Sequence, residues 1–223
     1  MMQITVMEDI LGKNDQMAQE LNQLLTSKGI FTLNLMGSPG AGKTLLLEKT
    51  LWQLKEDLRL AVIEGDLFTS KDADRIACCK VPVIQINTSG GCHLDAYMIK
   101  SVLPQLDLDE LDLLIIENVG NLVCPAEFQL GEDRKALVLS ITEGEDKPLK
   151  YPLMFRQSSF IILNKIDLLP YTQFDMAAVK ADIFGINPDA RLAEASCRTA
   201  AGLQPWYDWI KEQVALKKLA IGK

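Results

Sequence analysis

The chain reads FTLNLMGSPGAGKTLLLEKTL from residue 31 to residue 51. A run rich in strand formers, FTLNLM at 31–36, stops at a glycine-rich stretch, GSPGAGKT at 37–44, and leucines then recur as they do on a helix. A strand that passes through such a stretch into a helix is the setting of a phosphate loop. Gly37, Gly40 and Gly42 let the backbone curl until successive N–H groups point inward, while Ser38, Pro39 and Ala41 complete the loop. The helix N-terminus adds partial positive charge, and the resulting cradle fits a β-phosphate. Lys43 is expected to reach the β- and γ-phosphate oxygens, and the Thr44 hydroxyl to bind a bridging Mg²⁺.

Outward from the loop, short apolar runs alternate with helical stretches: LRLAVIEGD at 58–66, VPVIQI at 81–86, LDLLIIEN at 111–118, ALVLSIT at 136–142, SFIILN at 159–164 and ARLAEAS at 190–196. Near-continuous apolar runs of this kind suit a parallel sheet covered on both faces. The expected fold is therefore an α/β P-loop NTPase, with a mostly parallel central sheet, helices on both faces and ligands at the carboxyl ends of the strands. Ahead of the first strand, Ile10, Leu11, Met17, Leu21, Leu24 and Leu25 fall at helical spacing and the pattern ends at Gly29, so residues 1–30 are read as an N-terminal helical extension. Residues 31–223 then form the nucleotide-binding domain, one structural domain overall.

Composition narrows the choice of partners. The 223 residues are 48% hydrophobic and 24% charged, a balance that provides for a packed core. Lys and Arg number 23 against 30 Asp and Glu, a net charge of -7, and no basic stripe gathers to neutralise a run of phosphates, which argues against nucleic acid. The start, MMQITVMEDILGKND, lacks the basic-then-apolar order of a secretory leader, and no apolar run approaches the roughly 20 residues of a membrane span. A cytoplasmic protein is expected. Five scattered cysteines make a poor disulfide framework there, and free thiols or metal ligands are the better reading.

The base specificity is read from Asn164-Lys165-Ile166-Asp167, which closes the strand SFIIL. The Asp167 carboxylate can accept from both N1–H and the exocyclic amine of guanine, a pair of donors that adenine does not offer, while the Lys165 stem covers a ring face. GTP or GDP is therefore the expected ligand, and ATP use by a small-molecule kinase is disfavoured. Ser196 and Cys197, after the last strand, stand where a second base-contacting loop belongs, with a plain strand-to-helix turn as the alternative. Asp66 and Glu117 end strands close to the phosphate loop, so each is a candidate Mg²⁺ ligand, or else a helix cap or solvated strand end. Asn121 stands where many small GTPases carry a water-orienting glutamine, which predicts slow intrinsic hydrolysis.

Cys92 and His93 follow the strand VPVIQI, and Cys124 follows the strand that ends at Glu117; His93 is the only histidine. If the three emerge at one sheet edge, two thiolates and an imidazole make a soft site for Ni²⁺ or Zn²⁺, one ligand short of four. Water or a second copy of the chain would complete it. The alternative is two buried small hydrophobes and a hydrogen-bonded histidine. Because Cys124 lies just beyond the segment that would sense the γ-phosphate, nucleotide state is expected to move a metal ligand. Cys78 and Cys79 are read as core positions on a helix.

Taken together, GSPGAGKT, EGD at 64–66, NTSGGCHLDA at 87–96, ENVGNLVCPAEFQLGE at 117–132, TEGEDKPLKYP at 142–152 and NKID resemble the hydrogenase nickel-incorporation GTPases, the HypB family of nickel–iron hydrogenase maturation factors, over nearly the whole chain. The resemblance implies a SIMIBI-class G domain that hydrolyses GTP and forms a homodimer in the GTP state, with metal bound near the dimer interface. It also implies a metallochaperone that assists nickel insertion into the hydrogenase large-subunit precursor together with a HypA-type accessory protein. The family's metal ligands fall on Cys92, His93 and Cys124, its phosphate and magnesium roles on Lys43, Thr44, Asp66 and Glu117, and its guanine contacts on Asn164, Lys165 and Asp167. Lys147 carries over as a nucleotide contact near the dimer interface.

Two departures limit the transfer. The sequence has neither the CxxCGC motif nor the histidine-rich tract that some members carry, so nickel storage is not expected, and its base loop reads SCRTAAG where the family often has a lysine and acidic residues. Rival readings are the urease accessory GTPase UreG, whose Cys-Pro-His motif is here split between Cys92-His93 and Cys124-Pro125, and a regulatory GTP-binding switch without metal cargo.

Overall fold

Among the described residues seven strands join in one sheet in which every pair is parallel: β1 (Phe31–Gly37), β2 (Leu60–Asp66), β3 (Val83–Asn87), β4 (Leu113–Glu117), β5 (Arg134–Ser140), β6 (Ser158–Asn164) and β7 (Arg191–Ala195), in the spatial order β3-β2-β4-β1-β5-β6-β7. The computed structural model describes residues 6–66 and 75–222, with side chains from Ile10 onward. Each strand lies on one of the apolar runs of the sequence. The fifth is displaced by two residues: the run ALVLSIT extends to Thr142, but Ser140 and Glu143 form a reciprocal capping box that turns Ile141–Glu143 into a single 3₁₀ turn.

Alternate side chains of these strands meet different helices. On one face Phe31, Leu33, Leu35, Val62, Ile115, Val138 and Phe160 pack under α2 (Lys43–Leu54) and the C-terminal helix (Gln204–Ala220). On the other face two apolar clusters form side by side. Ala61, Ile63, Leu114 and Ile116 lie under Ala18, Leu21 and Leu25 of α1 (Val6–Lys28) and Ile99 of α3 (Ala96–Val102). Met36, Leu137, Leu139, Ile161 and Leu163 lie under Met154 and Phe155 of the helix Pro152–Gln157 and under Val179 and Ile183 of the helix Met176–Ile186. Between these two clusters β1 presents Thr32 and Asn34, and β5 presents Lys135 in register with Asn34, so a buried polar seam divides the second face.

The leading helix is thus seated on the sheet through its apolar stripe, and Gly29, at φ 78°, ends it as the sequence leads one to expect. No helix among the described residues is long and apolar enough to cross a membrane. Because β1 lies between β4 and β5, the loops that leave β1, β2, β3 and β4 share the carboxyl edge of the sheet, where chain order reverses and open α/β sheets bind ligands.

Candidate nucleotide and metal sites

The loop after β1 curls as its glycines allow. Gly40 and Gly42 take φ 76° and 103°, and a Cβ at Gly42 would stand 2.4 Å from the Asn164 side-chain nitrogen. Lys43 Nζ folds back onto the carbonyls of Gly37 and Ser38 at 3.2 and 3.3 Å, so its ammonium lies at the mouth of the loop. The Thr44 hydroxyl donates to Glu117 Oε1 at 2.8 Å. A cavity of about 320 Å³ opens here, and Lys43, Thr44, Asp66 and Glu117 all line it.

Two further residues of that wall escaped the sequence reading. Glu64 is buried, faces Glu117 across the β2–β4 register, and lies two positions before Asp66, so both acids of EGD point the same way. Strand alternation carries that signal. Arg75 also lines the cavity and pairs with Glu48 of α2 at 2.8 Å; nothing in its sequence context marks it. A hydroxyl and a set of carboxylates are the oxygen donors that a hard cation takes, so the wall fits Mg²⁺.

Asn164 ties the base end to the phosphate end. Its Nδ2 donates to the Ala41 carbonyl at 2.8 Å, and its Oδ1 accepts from the Cys197 N–H at 3.0 Å. Lys165, at φ 67°, sends Nζ to the Gly40 carbonyl at 2.7 Å. One oxygen of Asp167, Oδ1, is buried with no hydrogen-bond partner among the described residues, a geometry that suits a ligand bearing donors. Ser196 and Cys197 follow β7 beside Asn164, but the Cys197 side chain enters the core, where burial pushes its thiol up to about 12. Its thiol nevertheless interacts with Asn164, so both the backbone and the side chain of that residue meet the base loop. Lys147 opens a short helix and pairs with Asp146 at 2.8 Å; it is not among the residues that line the phosphate cavity.

Cys92, His93 and Cys124 do emerge together, with one ligand atom from each lying within 4.8 Å of the others. The two Sγ atoms are 2.9 Å apart, and Cys92 Sγ is 3.5 Å from His93 Nδ1. Burial lowers the His93 pKa against the opposing charges of Asp95 and Glu127, which favours the neutral ring. Burial, followed by the hydrogen bond with Cys92, pushes the Cys124 thiol up to about 11. The His93 ring stacks on Phe128 with centroids 3.8 Å apart, a support that the sequence did not announce. Of the other adjacent pair, Cys79 joins the core as expected, but Cys78 is exposed: it sits at a turn after the short helical segment, where neighbours in sequence face opposite ways.

The two sites share backbone. The Asn121 N–H donates to the Gly37 carbonyl at 3.1 Å, an antiparallel bridge onto the phosphate loop, while Asn121 Nδ2 lies 3.8 Å from Cys124 Sγ. Gly120 packs so closely on the loop that a Cβ there would stand 2.8 Å from the Pro39 nitrogen.

A parallel sheet with a phosphate loop at its central strand and acids at two neighbouring strand ends defines a P-loop nucleotide-binding protein, and the loops after β3 and β4 bring two cysteines and a histidine together beside it. Residues 31–194 match the CobW/HypB/UreG nucleotide-binding domain. The chain belongs to the HypB family of hydrogenase maturation factors. It is 50% identical over 210 residues to the hydrogenase maturation factor HypB of Azotobacter vinelandii, covering 94% of this chain and 69% of the relative. Among solved structures it is similar to HypB from Helicobacter pylori in complex with nickel, with TM-score 0.86 and 39% identity over 91% of this chain and 95% of that one. HypB from Archaeoglobus fulgidus gives TM-score 0.85 and 35% identity over 91% and 99%.

Proposed function

We propose that the chain is a cytoplasmic GTP-hydrolysing metallochaperone that binds nickel at Cys92, His93 and Cys124 and, with a HypA-type accessory protein, assists its insertion into the hydrogenase large-subunit precursor. The G domain spans residues 31–223 in this reading, with residues 1–30, which include α1 (Val6–Lys28), as an N-terminal extension. The buried Asp167 oxygen supports guanine selection, because a base offering two N–H donors meets it and adenine does not. Thr44, Asp66 and Glu117 would hold Mg²⁺, whose charge offsets that of the β- and γ-phosphate oxygens; Lys43 adds a second cation there.

Hydrolysis is slow by itself in this reading. Asn121, at the position of a water-orienting side chain, has its Oδ1 engaged by the Val123 N–H at 2.8 Å and its Nδ2 turned toward Cys124. The observation that carries the proposal is the one peptide segment, Glu117 to Cys124, that touches the Thr44 hydroxyl at its start, the Gly37 carbonyl in its middle and the metal cluster at its end. A γ-phosphate that shifts this segment changes the thiolate geometry and so couples nucleotide to metal. The three-ligand site is completed by water or at a two-fold contact, which supports a homodimer in the GTP state with Lys147 near the shared nucleotide face.

Sizing and nickel analysis with GDP and with a slowly hydrolysed GTP analogue test this. A dimer with the analogue, and a different nickel content in the two states, is expected. Monomers of equal nickel content in both states refute the coupling.

A further inference from the structure

The seam that divides the second face of the sheet ends beneath the metal cluster. Lys135 lies in it, 4% exposed, and its Nζ lies within donating distance of the carbonyls of Pro125, Ala126 and Phe128 at 3.4, 3.0 and 3.2 Å and of Gln157 Oε1 at 2.9 Å. The first three belong to the turn of helix that begins at Cys124 and to the residue just after it. The last residues of so short a helix have no later turn to receive their carbonyls, and a buried ammonium with three protons supplies what the backbone lacks. Glu132, 3.5 Å away and equally buried, balances the charge.

The chain of contacts continues to the other ligand loop. Glu132 Oε1 accepts from Asn34 Nδ2 at 3.3 Å, and Asn34 Oδ1 accepts from Asn118 Nδ2 at 3.2 Å. Asn118 Oδ1 then accepts from the Leu94 N–H at 3.1 Å, one residue past His93. Phe128, whose carbonyl Lys135 holds, also supports the His93 ring. One buried cation thus fixes the Cys124 turn directly and the Cys92-His93 loop through three intervening side chains.

We propose that Lys135 is a positioning residue for the metal cluster, holding the Cys124 turn and the Cys92-His93 loop at the spacing at which their side chains close on one ion. This rests on the reading of Cys92, His93 and Cys124 as ligands. Outer groups that orient metal ligands typically change affinity by about 10- to 100-fold when removed. A purely architectural lysine would lower stability and leave the affinity of the folded protein unchanged.

The test is Ni²⁺ titration of the full chain loaded with GDP, following thiolate-to-nickel absorption, for the unaltered protein and for Lys135→Met, Lys135→Arg, Gln157→Met and Cys124→Ala, with GDP affinity measured alongside. Lys135→Met is expected to weaken Ni²⁺ binding about tenfold or more and to shift the absorption band. Lys135→Arg, which keeps a cation that donates to several carbonyls, is expected to recover most of that affinity, and Gln157→Met to lose about threefold. GDP affinity should stay within about twofold throughout, because neither residue lines the nucleotide cavity. Folded Lys135→Met with the unaltered affinity and spectrum overturns the proposal; if that variant does not fold, unaltered affinity in Gln157→Met does so. Unaltered binding in Cys124→Ala overturns the ligand assignment itself, and this proposal with it.

Discussion

Asp167 shows how much a single oxygen decides. Its buried Oδ1 awaits a donor, so replacing the carboxylate by an amide presents an N–H where an acceptor was needed. Asp167→Asn should weaken GDP binding by about a hundredfold or more, since two hydrogen bonds to a charged group are affected. Xanthosine diphosphate, which carries a carbonyl in place of the exocyclic amine, should gain affinity; competition against a fluorescent guanine nucleotide measures both changes. Cys124 gives a second residue-level expectation. Its thiol, raised to about 11, is protonated in the metal-free protein at neutral pH, so on the proposed ligand assignment a bound nickel ion would have to displace that proton. Affinity should therefore fall as pH falls, by about tenfold per unit for this one proton, and isotherms recorded between about pH 6.5 and 8.5 will give the slope.

At the scale of elements, the C-terminal helix is anchored by aromatic packing. Trp206, 1% exposed, stacks on Trp209 at 5.5 Å between centroids, meets Phe160 edge-on at 5.2 Å, and donates its indole N–H to Thr50 of α2 at 2.8 Å. Trp206→Ala should destabilise the protein by about 3–5 kcal/mol, readable from the urea midpoint, and leave Thr50 without that partner. Elements of this kind were legible because their signals are local. Seven apolar runs became seven strands, and a strand, a glycine turn and a helix gave the phosphate loop its place. Legibility faded where the determinant is distant in sequence. Lys135 reads as an ordinary charge at the start of a strand until Glu132 and the Cys124 turn fold over it, and Phe128 reads as core until His93 lies on its ring. Periodicity reports which face a residue occupies, whereas these roles depend on what another loop brings to that face. Glu64 lay between the two cases: alternation with Asp66 aims it at the site, but a buried acid inside an apolar strand is visible only once the sheet is assembled.

For the molecule as a whole, the edge of the sheet remote from the ligands is held by charge. Asp112, 5% exposed, accepts from the Arg59 backbone N–H at 2.9 Å and guanidinium at 2.9 Å, and from Lys218 at the end of the C-terminal helix at 2.8 Å. These partners outweigh burial and hold its carboxyl well below the usual carboxylate range. A carboxylate lowered in the folded state adds stability that is complete above its unfolded value, near pH 4, and that is lost as pH falls below it. Asp112→Asn should therefore be less stable by about 2 kcal/mol at neutral pH, a figure moderated by the half-exposed Arg59, and the gap to the unaltered protein should close in acid; urea titrations at several pH values measure it.

The metal cluster lies at the opposite edge, with Cys92 facing solvent. If Cys92, His93 and Cys124 hold one ion, as proposed above, the fourth position on that side falls to water or to another molecule. A recipient that attached its own donor there before any of the three let go would, on that reading, take the ion by associative exchange without its ever being free in the surrounding water.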